Sequence, residues 1–303
     1  MDVVAVLLQI LMLLMIMAVG AYLRKRKVMT DPVIKGINQI ILQIALPAQI
    51  ILTTQKEYAQ GLLPGFFRAM LLAILLMVAF SIALYALSGN KLPERRRVVF
   101  AALSALPNAA YVGVPLVQAA YGDGGIIYLS AYIIAFNLVL WTLFQVLYAG
   151  RKGLDIKLLL NNGLIACIIG TLFLAARVKL PQPFFGFITQ LGGLTTPLSL
   201  LLLGARLSQG LQRDKLRDKA LWTAVVMRLI IYPLGAYFIL RLIGISGIEL
   251  KVLVIVSALP SAVAAQMFAE KYDRDYILAS QGVSLSLILC VVTIPLLMLL
   301  LGL

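Results

Sequence analysis

Apolar residues run through this chain in long, nearly unbroken stretches separated by short polar connections. The stretch LLQILMLLMIMAV at 7–19 shows no alternation of period two, so it reads as helix rather than as a porin-type strand. A helix rises about 1.5 Å per residue, so about 20 apolar residues cross the roughly 30 Å of hydrocarbon in a bilayer. Ten stretches reach that length: 4–23, 33–52, 66–88, 98–120, 126–149, 158–177, 187–208, 220–241, 249–269 and 277–301. No connection between them is long enough to hold a separate soluble domain. The first stretch is too long for the apolar part of a signal peptide and has no positively charged n-region before it, so it reads as a retained helix.

Composition strengthens this picture. Hydrophobic residues make up 62% of the 303 and charged residues 13%, against roughly 50% and 25% in soluble domains. A soluble fold could not hide that excess. The formal charge of +14 would suggest nucleic acid in a soluble protein. Here the basic residues cluster between apolar stretches, with no zinc-finger spacing and no aromatic–basic platform, so no nucleic-acid partner is expected. Histidine is absent, which excludes serine–histidine catalysis and histidine-ligated zinc. The cysteines, Cys167 and Cys290, lie inside apolar stretches and give no disulfide framework. No metal, cofactor or enzymatic activity is expected.

The basic residues also orient the chain. With the N-terminus outside, the connections after stretches 1, 3, 5, 7 and 9 carry eighteen Lys and Arg residues, against five on the other side. Basic residues favour the inner face, so both termini are expected on the outer side. Ten stretches divide into five and five, at 1–149 and 158–303, around a short inner connection at 150–157. Five is odd, so the halves enter the membrane in opposite directions, as in inverted-repeat transporters. Matched prolines support the pairing. Pro47 and Pro197 fall in stretches 2 and 7, and Pro107 and Pro260 in stretches 4 and 9, at offsets of 150 and 153.

Proline lacks an amide hydrogen and crowds the preceding helical turn. Ala105-Leu106-Pro107-Asn108 and Ala258-Leu259-Pro260-Ser261 therefore predict two breaks near mid-membrane. Unwound backbone is tolerated in lipid only where protein or a wet cavity satisfies it. Each break exposes the N-terminus of a half-helix, whose free amides and partial positive charge favour an anion. Around these breaks, Tyr111, Gly113, Pro115, Asn137, Gln266, Gln281 and Ser284 are the candidate lining. Arg228, deep in stretch 8, either draws an anionic substrate or stands in for a bound cation as a structural charge. No Asp or Glu lies deep in any stretch, so no carboxylate relay for protons or sodium is visible. Coupling to either ion stays open.

The stretches GAYLRKRKVMTDPVIKGINQIILQIALPAQI (20–50), SALPNAAYVGVPLVQAAYG (104–122), TPLSLLLLGARLSQ (196–209) and SALPSAVAAQMFAEKYDRDYILASQGV (257–283) resemble the auxin efflux carrier family in its compact, malate permease-like bacterial form. The resemblance runs the length of the chain. It implies the architecture of bile-acid sodium symporters and sodium/proton antiporters: an all-α polytopic membrane protein of ten helices in two inverted five-helix repeats, with crossed, discontinuous helices 4 and 9. A transport unit of helices 3–5 and 8–10 would slide against a scaffold of helices 1, 2, 6 and 7. It further implies a homodimer, a bacterial inner-membrane location and an organic-anion substrate. Pro107 and Asn108 match the family's crossover in helix 4, and Pro260 that in helix 9. Ser261 and Ala262 depart from the more polar steps of plant members.

The resulting expectation is a secondary carrier of a small organic anion, by elevator-like alternating access. The alternatives are an anion channel or uniporter, and a membrane ligand sensor or structural protein that moves nothing.

Overall fold

The computed structural model describes residues 3–55, 63–89, 91–150, 162–208 and 217–303. The expected inner connection, apart from Gly150, lies outside the described residues. Fifteen helices carry the described chain: α1 Val3–Lys25, α2 Asp31–Ile40, α3 Leu46–Thr54, α4 Leu63–Leu87, α5 Glu94–Ala105, α6 Val114–Val139, α7 Gln145–Ala149, α8 Asn162–Ala175, α9 Gln182–Gly193, α10 Thr195–Leu207, α11 Lys219–Val226, α12 Tyr232–Leu242, α13 Gly247–Ser257, α14 Val263–Lys271 and α15 Tyr276–Leu301. Wide π-type turns at Ile41–Ala45, Ala109–Gly113, Leu140–Phe144 and Met227–Ile231 join or lead into several of them.

The chain is an all-α polytopic membrane protein, but the expected ten spans in two inverted five-helix repeats are not what it contains. Among the described residues six helices are long and apolar enough to cross a membrane: Asp31–Leu52, Leu63–Leu87, Gly124–Ala149, Gln182–Ala205, Lys219–Leu242 and Tyr276–Leu301. The reason is local. Within the described part of expected stretch 6, the helix runs over Asn162–Ala175, 14 residues, or about 21 Å. Stretches 4 and 9 are each cut in two by proline. For stretch 1, helix α1 spans 23 residues, and the side chains of its first turns lie outside the described residues.

The cut stretches form the centre of the protein. Every residue from Val98 to Ala109, and from Val252 to Ala269, is buried. Their apolar character on all sides suits a core helix surrounded by protein. Spans such as α4 and α15 instead present apolar side chains outward, among them Leu71, Leu75 and Ile82 of α4 and Leu296, Leu299 and Leu300 of α15.

Packing falls into two groups. In one, α1 lies along α10, and α3 lies against α8 and α9. At the α1–α10 crossing, Gly20 meets the carbonyl of Leu201 and Gly204 that of Met17, so backbone touches backbone. Small residues permit this approach in membrane helices. In the other group, α4 lies against α5 and α6, α6 against α13, and α15 against α5, α11 and α14. Ion pairs tie the first turn of α5 to the connections that precede α11 and α15. Arg96 pairs with Asp218 and, at 3.1 Å, with Asp275. Arg95 pairs with Asp273 at 2.9 Å. Asp218 and Asp275 also cap α11 and α15, accepting from Ala220 N at 2.9 Å and Leu278 N at 3.0 Å.

Candidate anion site at the helix crossover

Helix α5 ends at Ala105 because Leu106 is extended (φ −91°, ψ 113°), the conformation that a following proline imposes. Helix α13 ends at Ser257, and the chain re-enters helix at α14 through an extended Ala262. The two gaps lie side by side and pair as a short antiparallel bridge between Pro107 and Ser261. Asn108 N donates to Pro260 O at 2.8 Å, and Ala262 N to Leu106 O at 2.9 Å. The backbone groups that proline frees in one stretch are thus satisfied by the other.

Four helix ends converge here, two of each kind. On one side are the carbonyl ends of α5 and α13, held by Arg228 from the turn between α11 and α12. Its Nε donates to Leu259 O and its Nη1 to Ala105 O, both at 2.9 Å, and its Nη2 to Ser257 O. Arg228 is 0% exposed. Its guanidinium carbon lies 4.6 Å from the centroid of the Tyr232 ring, within cation–π range. The Tyr232 and Tyr132 hydroxyls meet at 3.2 Å, and Tyr132 reaches Ser257 Oγ at 3.4 Å.

On the other side lie the amide ends of the second halves, beginning at Ala109 and Val263, and they border a small cavity. Pro107, Asn108, Ala109, Ala262, Val263 and Ala264 form its crossover wall, Ile133, Phe136, Asn137 and Met267 its flanks, and Leu46, Gln49 and Ile50 of α3 its far wall. None of these side chains is charged. The Asn137 Nδ2 donates to Ile133 O at 2.8 Å, while its Oδ1 and the Gln49 Oε1 lack partners. The free space is about 20 Å³, room for a single water.

The first turn of a helix carries amides without intrahelical partners and the positive end of its dipole. Two such ends, walled by apolar groups, suit a carboxylate. In their present packing they do not leave room for one. The unpartnered Asn137 Oδ1 and Gln49 Oε1 are acceptors and suit a donor such as water.

Comparison with known proteins agrees in kind. The sequence profile of a family described as "membrane transport protein" matches residues 5–156 and 151–298. The chain belongs to this family of membrane transporters. An uncharacterized transporter of Methanocaldococcus jannaschii is 25% identical over 288 residues, covering 90% of this chain and 92% of the relative. Another, of Methanothermobacter thermautotrophicus, is 24% identical over 292 residues, covering 95% of each. Family membership carries the auxin efflux carrier resemblance and makes the chain a transporter rather than an enzyme. Both relatives are archaeal, so they lend no support to the expected bacterial setting.

The residues singled out from the sequence sort into four places. Pro107, Asn108 and Asn137 line the cavity. Pro260 and Ser261 form the bridge beneath it. Ser261 has no freedom to reach a ligand: its Oγ donates to Leu103 O at 2.7 Å, and its amide to Ser286 Oγ at 3.0 Å. Gly113 is buried against Leu259 and Leu129, where an added Cβ would stand 3.0 and 3.1 Å from their methyls. Gln266, Gln281 and Ser284 are buried away from the cavity lining; Gln266 Nε2 reaches Glu270 Oε1 at 3.4 Å, and Ser284 Oγ bonds back to Ser280 O at 2.6 Å. The side chains of Tyr111 and Pro115 lie outside the described residues. Gln49 was not singled out. Its signal was present: it lies two residues after Pro47, one of the matched prolines.

Proposed function

We propose that the protein is a secondary carrier of a small organic anion, such as a carboxylate, held at the amide ends of the crossover. The observation that carries this reading is the convergence of two half-helix N-termini on one cavity without charged side chains. The carboxylate takes hydrogen bonds from the first-turn amides of α14 and the turn at Ala109, and from Asn108. Apolar neighbours such as Phe136 and Met267 take its organic part.

The cavity is bounded on one side by the crossover group and on the other by α3, which packs in the α1–α10 group. Motion of the first group past the second, in the manner of an elevator, opens the cavity to each side of the membrane in turn. The two packing groups support this reading. The bias of basic residues supports termini on the outer side. A homodimer remains part of the proposal through the family resemblance alone.

The test is a thermal-stability screen of the purified protein against malate, malonate, benzoate and indole-3-acetate, followed by flux into liposomes. The expected result is stabilisation by at least one anion and saturable uptake that counter-substrate drives uphill. Flux that only follows the gradient would make the protein a channel or uniporter. Binding without flux would make it a sensor.

A further inference from the structure

The carbonyl side of the crossover is where a coupling cation would be expected. Unwound carbonyls and half-helix C-termini are the groups that coordinate sodium in transporters with broken helices. Here three of those carbonyls, of Ala105, Ser257 and Leu259, accept from one guanidinium. The charges also match. Each helix terminus carries the equivalent of ~0.5 elementary charge, so two carbonyl ends balance one guanidinium and leave the two amide ends to balance one anion.

We propose that Arg228 is a tethered counter-ion: it fills the position of a metal cation between the carbonyl ends of α5 and α13, so that the crossover loads its anion without sodium at those carbonyls. This rests on the carrier reading above, but it concerns the opposite side of the bridge and is tested apart from it.

Arg228 has no place in the cavity lining. It acts through the helix ends and is a positioning residue. Its hydrogen bonds and its charge can be separated experimentally, because urea offers planar N–H donors like those of guanidinium without the charge. In the wild-type protein, the melting temperature and the anion-induced shift are expected to be the same in sodium chloride and choline chloride. In Arg228→Ala, anion affinity is expected to fall about tenfold or more. Millimolar guanidinium should restore both the melting temperature and the anion response, and equimolar urea should not. Arg228→Lys, which keeps the charge, should retain most of the anion response and covers the case in which the alanine variant does not fold.

A sodium-dependent anion response in the wild type overturns the proposal while leaving an anion carrier in place. Equal rescue by urea overturns it too, by assigning the role to hydrogen bonding alone. If no anion in the screen binds, the carrier reading fails, and the comparison of sodium with choline, and of guanidinium with urea, on melting temperature still decides whether the carbonyl ends need a cation and have one.

Discussion

The two proline breaks look alike in sequence and do different work. Each is Ala-Leu-Pro followed by a small polar residue. After Pro107 comes Asn108, which borders the cavity. After Pro260 comes Ser261, whose hydroxyl and amide are both engaged, with Leu103 and Ser286. One break presents a side chain to the cavity; the other fastens the frame around it. The difference is one of reach. A serine hydroxyl one bond from Cβ satisfies nearby backbone, while an asparagine amide extends past it. Polar residues at a helix break therefore divide by length between lining and lashing.

Arg228 stands between the breaks, and its removal should have the largest effect. Arg228→Met leaves three buried carbonyls without donors, each worth ~1–3 kcal/mol. A loss of about 3–9 kcal/mol is expected, read as a large fall in melting temperature. A variant that melts as the wild type does would mean that other groups satisfy the helix ends.

Next comes Asn108→Ala. It should weaken anion binding about tenfold while the ligand-free melting temperature changes little. The opposite pattern, lower stability with unchanged binding, would make the two breaks equivalent. Ser261→Ala should give that opposite pattern: about 1 kcal/mol less stable, with the anion response kept. A lost anion response there would break the contrast from the other side. The smallest effect is expected for Ser284→Ala, since its hydroxyl only bonds back within its own helix. A change within about 0.5 kcal/mol is expected, with binding intact.

Much of this was legible in the sequence, for identifiable reasons. A proline is visible one residue at a time, so both breaks were placed correctly. The absence of deep carboxylates left the two breaks, with their free amides, as the candidate anion site proposed above. What could not be read depends on distance. The partners of Arg228 lie 29, 31 and 123 residues away, and no local pattern announces that two carbonyl ends will meet beside it. The sequence left open whether that charge serves the substrate or the fold, and its bonds run to backbone carbonyls. The span count failed for a related reason. Hydropathy registers apolar length, and residues 98–120 and 249–269 have it, but their halves are core pieces enclosed by other helices. Gln49 escaped notice because an amide beside a proline break attracts attention only once the facing wall is known.

At Gly20 and Gly204 the α1–α10 seam has main chain pressed on main chain, with no side chain between. Such a joint is already at its limit of closeness. Substitutions at these two glycines can wedge the helices apart but none can draw them nearer, which makes the pair a fixed post rather than an adjustable hinge.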